Sequence, residues 1–150
     1  MKIEYIKGDL FQTSISHIVH GCNAMGVMGS GVAKIIRDQF PEAYVAYRRQ
    51  YEEAGKLIMG DVIWASSNNK LIGNAITQKY YGRDGHRYVS YDAIAEAMSK
   101  INETSFYGGL EEVAMPQIGA GLGGGDWNII SAIIESELKN VKPYVYILEN

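Results

Sequence analysis

The stretch that decides the fold reads HGCNAMGVMGSGV and runs from His20 to Val32. It follows the apolar pair Ile18 and Val19, which is typical of a buried strand, and a helical pattern begins near Gly31. We call this stretch, with its four glycines, the first glycine loop. Glycine permits positive φ, and a helix start offers unpaired N–H groups and the positive end of its dipole. This order of elements predicts an anion-binding site.

A second stretch of the same kind, the second glycine loop, reads PQIGAGLGGGDW from Pro116 to Trp127. The apolar run 113–116 predicts a buried strand before it, and Asp126 predicts the cap of a helix after it. A single glycine loop could serve only to turn the chain. Two such loops, each after an apolar strand, favour a ligand site with two walls.

Neither glycine loop matches two common nucleotide motifs. The Lys-Ser or Lys-Thr ending of a Walker motif is missing from both, so a site for magnesium and a γ-phosphate is not expected. Gly26, Gly29 and Gly31 have the wrong spacing for the dinucleotide fingerprint. The sequence therefore disfavours ATP hydrolysis and nicotinamide-dependent dehydrogenation.

The rest of the chain alternates between strand and helix patterns. We predict strands at 3–6, 15–20, 61–65, 71–76, 113–116 and 144–148, and helices from Gly31, from near Glu42 to Ala54, after Ser90 and after Asp126. Pro41 separates the first two helices, and the turn-rich segment 66–69 predicts a hairpin-like pair of strands. This order predicts a mixed sheet with helices on both faces and a ligand crevice at the carboxyl ends of the strands.

Composition excludes several classes of protein. A length of 150 residues fits one domain, and 47% hydrophobic with 21% charged residues is ordinary for a globular chain. The net charge of -3 makes a nucleic-acid partner unexpected. The amino-terminal apolar run is too short for a signal peptide or a membrane span. Cys22 is the only cysteine, so we expect no disulfide partner, no metal site and a cytoplasmic location.

Three blocks of the sequence together resemble the macro domain, an ADP-ribose-binding fold. They are Lys7 to Leu10 after the first strand, Asn23 to Val32, and Ile118 to Gly125 before the last helix, and the match covers nearly the whole chain. The resemblance implies one macro domain over residues 1–150, with a three-layer α/β/α architecture and a mixed central sheet. It also implies ADP-ribose or ADP-ribose 1''-phosphate as the ligand, an ADP-ribosylated protein as a further candidate partner, and no cofactor.

The resemblance assigns roles to particular residues. Asp9, with Leu10 beside it, is implied to accept the adenine amino group, and Asn23 to bind the ribose farthest from the adenine. From the residues alone, Asp9 and Asn23 could equally be turn residues beside glycine, so both interpretations stay open. The resemblance also implies that both glycine loops bind the diphosphate, mainly through their backbone amides. The implied residues are Gly29, Ser30, Gly31 and Val32 in the first loop, and Ile118, Gly119, Ala120, Gly121, Leu122 and Gly123 in the second.

The likeness leaves three activities open. The first glycine loop is most similar to that of ADP-ribose 1''-phosphate phosphatases, which implies release of phosphate. It also resembles the subgroup that removes ADP-ribose from acidic side chains, in which a lysine attacks the ribose and an aspartate in the second loop assists. Lys79 lies at or one residue from that lysine position, whereas Gly123 stands where the aspartate is expected. Binding without turnover is the third alternative.

Catalytic candidates are Asn23, Lys79 and His20. His20 ends an apolar strand before the first glycine loop, where it could face the far ribose or be held in the core. His86 and Asp126 are further candidates for a base, and Asp126 is also placed to cap the last helix. His86 lies with Arg83 in the polar loop 82–87, which could fold over a ligand or be ordinary surface. Three tyrosines flank that loop: Tyr80, Tyr81 and Tyr88.

Overall fold

The computed structural model describes residues 1–82, 84 and 86–148, which include a six-stranded sheet. Its strands are β1 (Glu4–Lys7), β2 (His17–Asn23), β3 (Val62–Ser67), β4 (Lys70–Gln78), β5 (Glu112–Met115) and β6 (Lys142–Ile147). They lie in the order β1-β6-β5-β2-β4-β3. β3 pairs antiparallel with β4, as a hairpin, and the other neighbouring strands pair parallel. The predicted mixed sheet is confirmed.

In the described part of the chain, four α-helices connect these strands. They are α1 (Gly31–Gln39), α2 (Pro41–Ala54), α3 (Tyr91–Tyr107) and α4 (Trp127–Glu137). Ser90 caps α3 by accepting the Ala93 N–H at 3.1 Å, and Asp126 caps α4 by accepting the Asn128 N–H at 2.9 Å. Gly55 ends α2 with a left-handed φ of 74°. Both predicted caps and this predicted helix end are confirmed.

The helices cover both faces of the sheet because side chains along β2 alternate in direction. Ile18 packs with Ile36 of α1 and Ala43 of α2. Val19, the next residue, packs on the opposite face with Ile134 of α4 and with residues of α3. Ile18 and Val19 are both fully buried. The predicted three-layer α/β/α architecture is confirmed.

The second strand differs from its prediction at both ends. It was expected at 15–20 but runs from His17 to Asn23, so Gly21 lies inside the strand. Gly21 is paired with Ala75 of β4, and a Cβ on it would come within 2.8 Å of the Thr77 hydroxyl. Pairing with a neighbouring strand therefore extends β2 through a residue that local preference marks as a turn. As a result Asn23 ends a central strand.

Across the described ranges, no helix is both long and apolar enough to cross a membrane.

Candidate functional site

A cavity of about 590 Å³ lies at the carboxyl ends of β2, β4 and β5. Both glycine loops line it, and the ends of β2 and β4 form its base. Most of the predicted ligand residues are among its walls: Asn23, residues 29–32, Ile118, Gly119 and residues 121–123. The two-walled site expected from the glycine loops is therefore present as a space in the structure.

The first wall is the start of α1. Gly31, Val32 and Ala33 line the cavity, and helix geometry leaves the N–H groups of this first turn without an acceptor inside the helix. Gly31 has a φ of 62°, which few other residues adopt. The hydroxyl of Ser30, the residue before α1, makes no capping bond. These donors, together with the helix dipole, suit an anion.

In the second wall, only some of the predicted residues have a backbone N–H group that is available to a ligand. The N–H groups of residues 121–123 donate to no group among the described residues, and all three residues line the cavity. The Ala120 N–H, in contrast, donates to the Gln117 carbonyl at 3.2 Å, and Ala120 is not part of the lining. Ile118 lines the cavity, but its N–H donates to the Pro116 carbonyl at 2.8 Å. The amides available to a ligand are therefore those of residues 121–123, together with Gln117 and Gly119, which also line the cavity and whose N–H groups likewise donate to no described group.

Asn23 lines the cavity and also holds a turn of the first glycine loop. Its Oδ1 accepts the Met25 N–H and the Tyr47 hydroxyl, each at 2.9 Å, and its Nδ2 donates to the Val27 carbonyl at 2.8 Å. The amide group has two N–H bonds, so one is left over for a ligand. The turn role and the binding role are compatible, but the Asn23 side chain is restricted to donating.

The end of β4 presents Gln78, and not Lys79, to the cavity. Gln78 lines the cavity and its Nε2 donates to the Tyr80 carbonyl at 2.7 Å. Lys79 is exposed outside the lining, with its Nζ 5.4 Å from the centre of the Tyr80 ring. A Cβ on Gly123 would come within 2.8 Å of the Gly119 carbonyl and 3.1 Å of Gln78 Oε1. Among the described residues, the cavity therefore contains no lysine and aspartate pair.

The structure does not bring His20 to the cavity. Its side chain is fully buried on the α1 and α2 face of the sheet, with Nε2 2.6 Å from Asn74 Oδ1. The Asn74 amide nitrogen donates to the carbonyls of Ala43 and Ile63, so its oxygen must accept the proton on His20 Nε2. Burial lowers the pKa of His20 to about 4. This contradicts the interpretation of His20 as a base facing the ribose.

The walls of the cavity are uncharged. Among the described residues that line it, none is Asp, Glu, Lys, Arg or His. Cys22 and Tyr81 carry its ionisable side chains, and burial raises the pKa of the Cys22 thiol far above its usual range. Within the described part of the chain, no cluster of His, Cys, Asp and Glu could hold a metal ion. The polar groups that this lining offers are therefore neutral.

Thr77 is a cavity residue that sequence reasoning missed. It is buried, it lines the cavity, and its hydroxyl has no hydrogen-bond partner among the described residues. In the sequence it is an ordinary β-branched residue directly after the predicted strand 71–76. The available signal was its position at the carboxyl end of a strand beside the first glycine loop.

Asp9 and Leu10 lie outside the cavity, directly after β1. Asp9 Oδ1 accepts the Phe11 N–H at 2.9 Å at the start of a 3-10 turn, Leu10–Gln12, and Leu10 is buried. The other carboxylate oxygen of Asp9 takes no part in this bond, and the side chain is exposed. Asp9 thus forms the expected turn, and an oxygen is still available to a ligand.

The polar loop after β4 borders the cavity at one end. Tyr81 and Gly82 line the cavity, and the Tyr88 N–H donates to the Gly123 carbonyl at 2.7 Å. His86 is exposed and its Nδ1 lies 3.1 Å from an Asp84 carboxylate oxygen. Arg83 lies outside the described residues. The loop is therefore attached to the second glycine loop, while His86 points to solvent.

Comparisons with known proteins agree with this geometry. A family model described as Macro domain matches residues 19–134. The "Uncharacterized 17.5 kDa protein in tk-vs intergenic region" of Enterobacteria phage T4 is 32% identical over 91% of this chain and 90% of its own. An "ADP-ribose 1''-phosphate phosphatase" of Meyerozyma guilliermondii is 27% identical over 96% of this chain and 98% of its own. The solved macrodomain of Thermus aquaticus DarG is 25% identical, with 97% of each chain covered and a TM-score of 0.82. The chain belongs to the macro domain family.

Proposed function

We propose that this chain binds ADP-ribose and hydrolyses ADP-ribose 1''-phosphate to ADP-ribose and phosphate. The observation that carries the proposal is the uncharged cavity between two sets of backbone N–H groups, at Gly31–Ala33 and at residues 121–123. A diphosphate is well satisfied by such donors. The similarity to a protein named as this phosphatase over 98% of that protein's length supports the same activity.

The order of the strands supports a long ligand laid across the sheet. Asp9 follows β1, and Asn23 ends β2, with β6 and β5 between them. Three strand spacings separate β1 from β2, or about 14 Å. With adenine at Asp9 and the far ribose at Asn23, the diphosphate would lie over the two glycine loops. We infer this orientation for ADP-ribose.

Phosphate release fits a site without a charged base. A water oxygen forms a bond to phosphorus, the bond from phosphorus to the oxygen on ribose C1'' breaks, and the proton of the water goes to that leaving oxygen. Phosphoryl transfer passes through a loose transition state, so catalysis depends mainly on positioning and on donors to the phosphoryl oxygens. Backbone amides of the glycine loops and the remaining N–H of Asn23 are such donors.

Of the two other activities, binding without turnover fits the cavity better than removal of ADP-ribose from acidic side chains. Removal of ADP-ribose from acidic side chains through a lysine adduct is disfavoured, because Gln78 has a carboxamide, which is not a nucleophile, and Gly123 has no side chain. Binding without turnover is the second candidate. The absence of Asp, Glu, Lys, Arg and His from the described lining favours it, because no strong acid or base contacts the ligand space.

A pair of incubations distinguishes these activities. The protein is mixed with ADP-ribose 1''-phosphate or with a peptide that carries ADP-ribose on an acidic side chain, while phosphate and free ADP-ribose are measured. We expect phosphate from the first substrate and no ADP-ribose from the second. Binding of ADP-ribose in calorimetry with no product from either substrate would establish the second candidate instead. A protein that binds no ADP-ribose would overturn the proposal altogether.

A further inference from the structure

β3 is one of the two outer strands of the sheet, and it contains only apolar residues and serines. Proteins usually protect an outer strand with charges, proline, a bulge or a short length, because its unpaired N–H and C=O groups can pair with another chain. β1, the other outer strand, is protected in this way. It has four residues, which include Glu4 and Lys7, and the Ile3 N–H just before it donates to the Glu135 carboxylate at 2.8 Å. β3 has six residues and no such protection, so its outer edge is suited to pairing.

The outward backbone groups of β3 belong to every second residue. The Ile76 N–H of β4 donates to the Asp61 carbonyl at 2.8 Å, and successive residues of a strand direct these groups to alternate sides. Because the register with β4 is regular throughout β3, the N–H and C=O groups of Val62, Trp64 and Ser66 point away from β4. No other described segment bonds to them. A second copy of β3, running antiparallel, can place its own three residues opposite these, so that each strand donates and accepts.

α2 turns one side toward this edge of the sheet. The opposite side of the helix faces α1, where the Tyr44 ring packs against the Arg37 guanidinium. On the side toward β3, the Glu42 carboxylate accepts the Ser67 hydroxyl. A partner that pairs with β3 would therefore also meet the side of α2 that carries Glu42.

The residues on that side of α2 are complementary to themselves. Glu42, Val45, Ala46 and Arg49 follow one another at the helical spacing of three and four residues. Glu42 and Arg49 are exposed, Val45 is 49% exposed, and Arg49 forms no ion pair with a described residue. In an antiparallel pair of α2 helices centred between Val45 and Ala46, Glu42 of each copy lies opposite Arg49 of the other. Two pairs of opposite charges then flank an apolar centre, which favours a second copy of this chain as the partner.

We propose that two copies of this chain associate across a two-fold axis, with β3 paired antiparallel to β3 and α2 packed beside α2. The two six-stranded sheets form one continuous sheet in this dimer. A two-fold contact uses the same surface on both copies, so the assembly is complete at two. None of the residues that make the contact lines the cavity, so each copy keeps its own ligand site.

Reversal of charge on α2 is the first test. Sedimentation equilibrium of the wild type at micromolar concentrations should give twice the chain mass of 16.6 kDa. Arg49→Glu places like charges opposite each other at both ends of the helix pair, so the dissociation constant of the dimer should rise about tenfold or more. Arg49→Glu combined with Glu42→Arg restores opposite charges and should restore the dimer. Lys139→Glu, at an exposed position after α4, changes the net charge equally and should leave the dimer unchanged.

A charge on the edge of β3 is the second test. Ser66→Lys places a lysine at an exposed position of this strand, which opposes pairing of the two edges. We expect the dissociation constant to rise about tenfold or more. Ser14→Lys is the control, because Ser14 is also exposed but lies before β2, and this variant should form the wild-type dimer.

The outcomes keep this inference separate from the proposed function. Calorimetry should give one affinity for ADP-ribose in the wild type, Arg49→Glu and Ser66→Lys, because the contact lies outside the cavity. A wild type that is monomeric at every concentration would overturn the inference, and so would a monomer that binds an unrelated extended peptide along β3. A dimer unaffected by both variants would place the contact elsewhere and overturn it as well. A dimeric wild type that binds no ADP-ribose would overturn the proposed function alone.

Discussion

The hydroxyl of Tyr47 donates to both oxygens of Asn23, the backbone carbonyl at 2.7 Å and Oδ1 at 2.9 Å. Tyr47 lies in α2 and is fully buried, and this burial raises the pKa of its hydroxyl well above the usual value. The hydroxyl therefore keeps its proton and can only be a donor toward Asn23. Oδ1 of Asn23 is fixed toward α2, which directs the Asn23 Nδ2 toward Val27 and the cavity.

Tyr47→Phe removes this orientation and keeps the packing of the ring. We expect the free energy of unfolding to fall by about 1–2 kcal/mol. The affinity for ADP-ribose should fall about three- to tenfold, because the Asn23 amide can then rotate. Tyr44→Phe, in the same helix, is the control, since the Tyr44 ring packs against the Arg37 guanidinium and should leave ADP-ribose affinity unchanged. Urea unfolding and calorimetry measure the two quantities; a loss of stability with no loss of affinity would show that Asn23 does not need Tyr47 for binding.

Asn23→Ala should lower the turnover of ADP-ribose 1''-phosphate more than Lys79→Ala does. Asn23 lines the cavity with an available N–H, whereas the Lys79 ammonium lies over the Tyr80 ring outside it. Loss of one donor to the ligand predicts a decrease of about tenfold for Asn23→Ala. Lys79→Ala should stay close to the wild type in a phosphate-release assay. The reverse order would favour lysine-adduct chemistry.

Most of the fold could be predicted from local signals in the sequence. Ser90 and Asp126 are capping residues by type and position, and the structure has both caps. Gly55 ends α2 because a left-handed residue is needed there. The strand bounds were less accurate, since Gly21 is held in β2 by pairing with β4, and such pairing depends on residues far away in the sequence.

The walls of the site were foreseen, but the direction of single side chains at the strand ends was not. His20 and Lys79 both lie within a residue or two of the cavity, yet neither faces it. Successive side chains along a strand point in opposite directions. An error of one residue in the position of the strand end therefore predicts that Lys79 faces the cavity, when Gln78 does. The register between β2 and β4 also shifts between Cys22 and Asn23, an irregularity that no local pattern announces. Thr77 and Gln78 were missed for this reason.

Gly119→Ala should lower the free energy of unfolding by more than the strain of a left-handed φ accounts for. Gly119 has a φ of 77°, and a Cβ there would come within 2.7 Å of Val89 Cγ2. Gly109 has a similar φ of 71°, with no described atom within 4 Å of its missing Cβ. We expect Gly109→Ala to cost about 1–2 kcal/mol of unfolding free energy and to leave binding intact. Gly119→Ala should cost about 1–3 kcal/mol more and weaken ADP-ribose binding, as measured by urea unfolding and calorimetry. Equal costs for the two variants would show that the loop adjusts freely.

The last prediction concerns the buried imidazole of His20 and the dependence of stability on pH. Its pKa is lowered from 6.5 to about 4, mainly by burial. Between these pH values the unfolded chain binds a proton that the folded chain does not, so the free energy of unfolding falls as the pH is lowered from about 6.5 to about 4. Across this range His20 alone lowers the free energy of unfolding by about 3 kcal/mol. Above pH 7 the imidazole is neutral in both the folded and the unfolded chain, so His20 causes no further change with pH.

Urea unfolding of the wild type between pH 4 and pH 8 tests this, with His20→Gln and His86→Gln as companions. His86 is exposed, with its partner Asp84 also exposed, so His86→Gln should follow the wild-type curve closely. His20→Gln should be less stable at pH 8, because glutamine cannot reproduce the bond to Asn74 in the same geometry, but its stability should decline less steeply below pH 6.5. If His20→Gln kept the wild-type slope in that window, another group would have to account for the proton uptake.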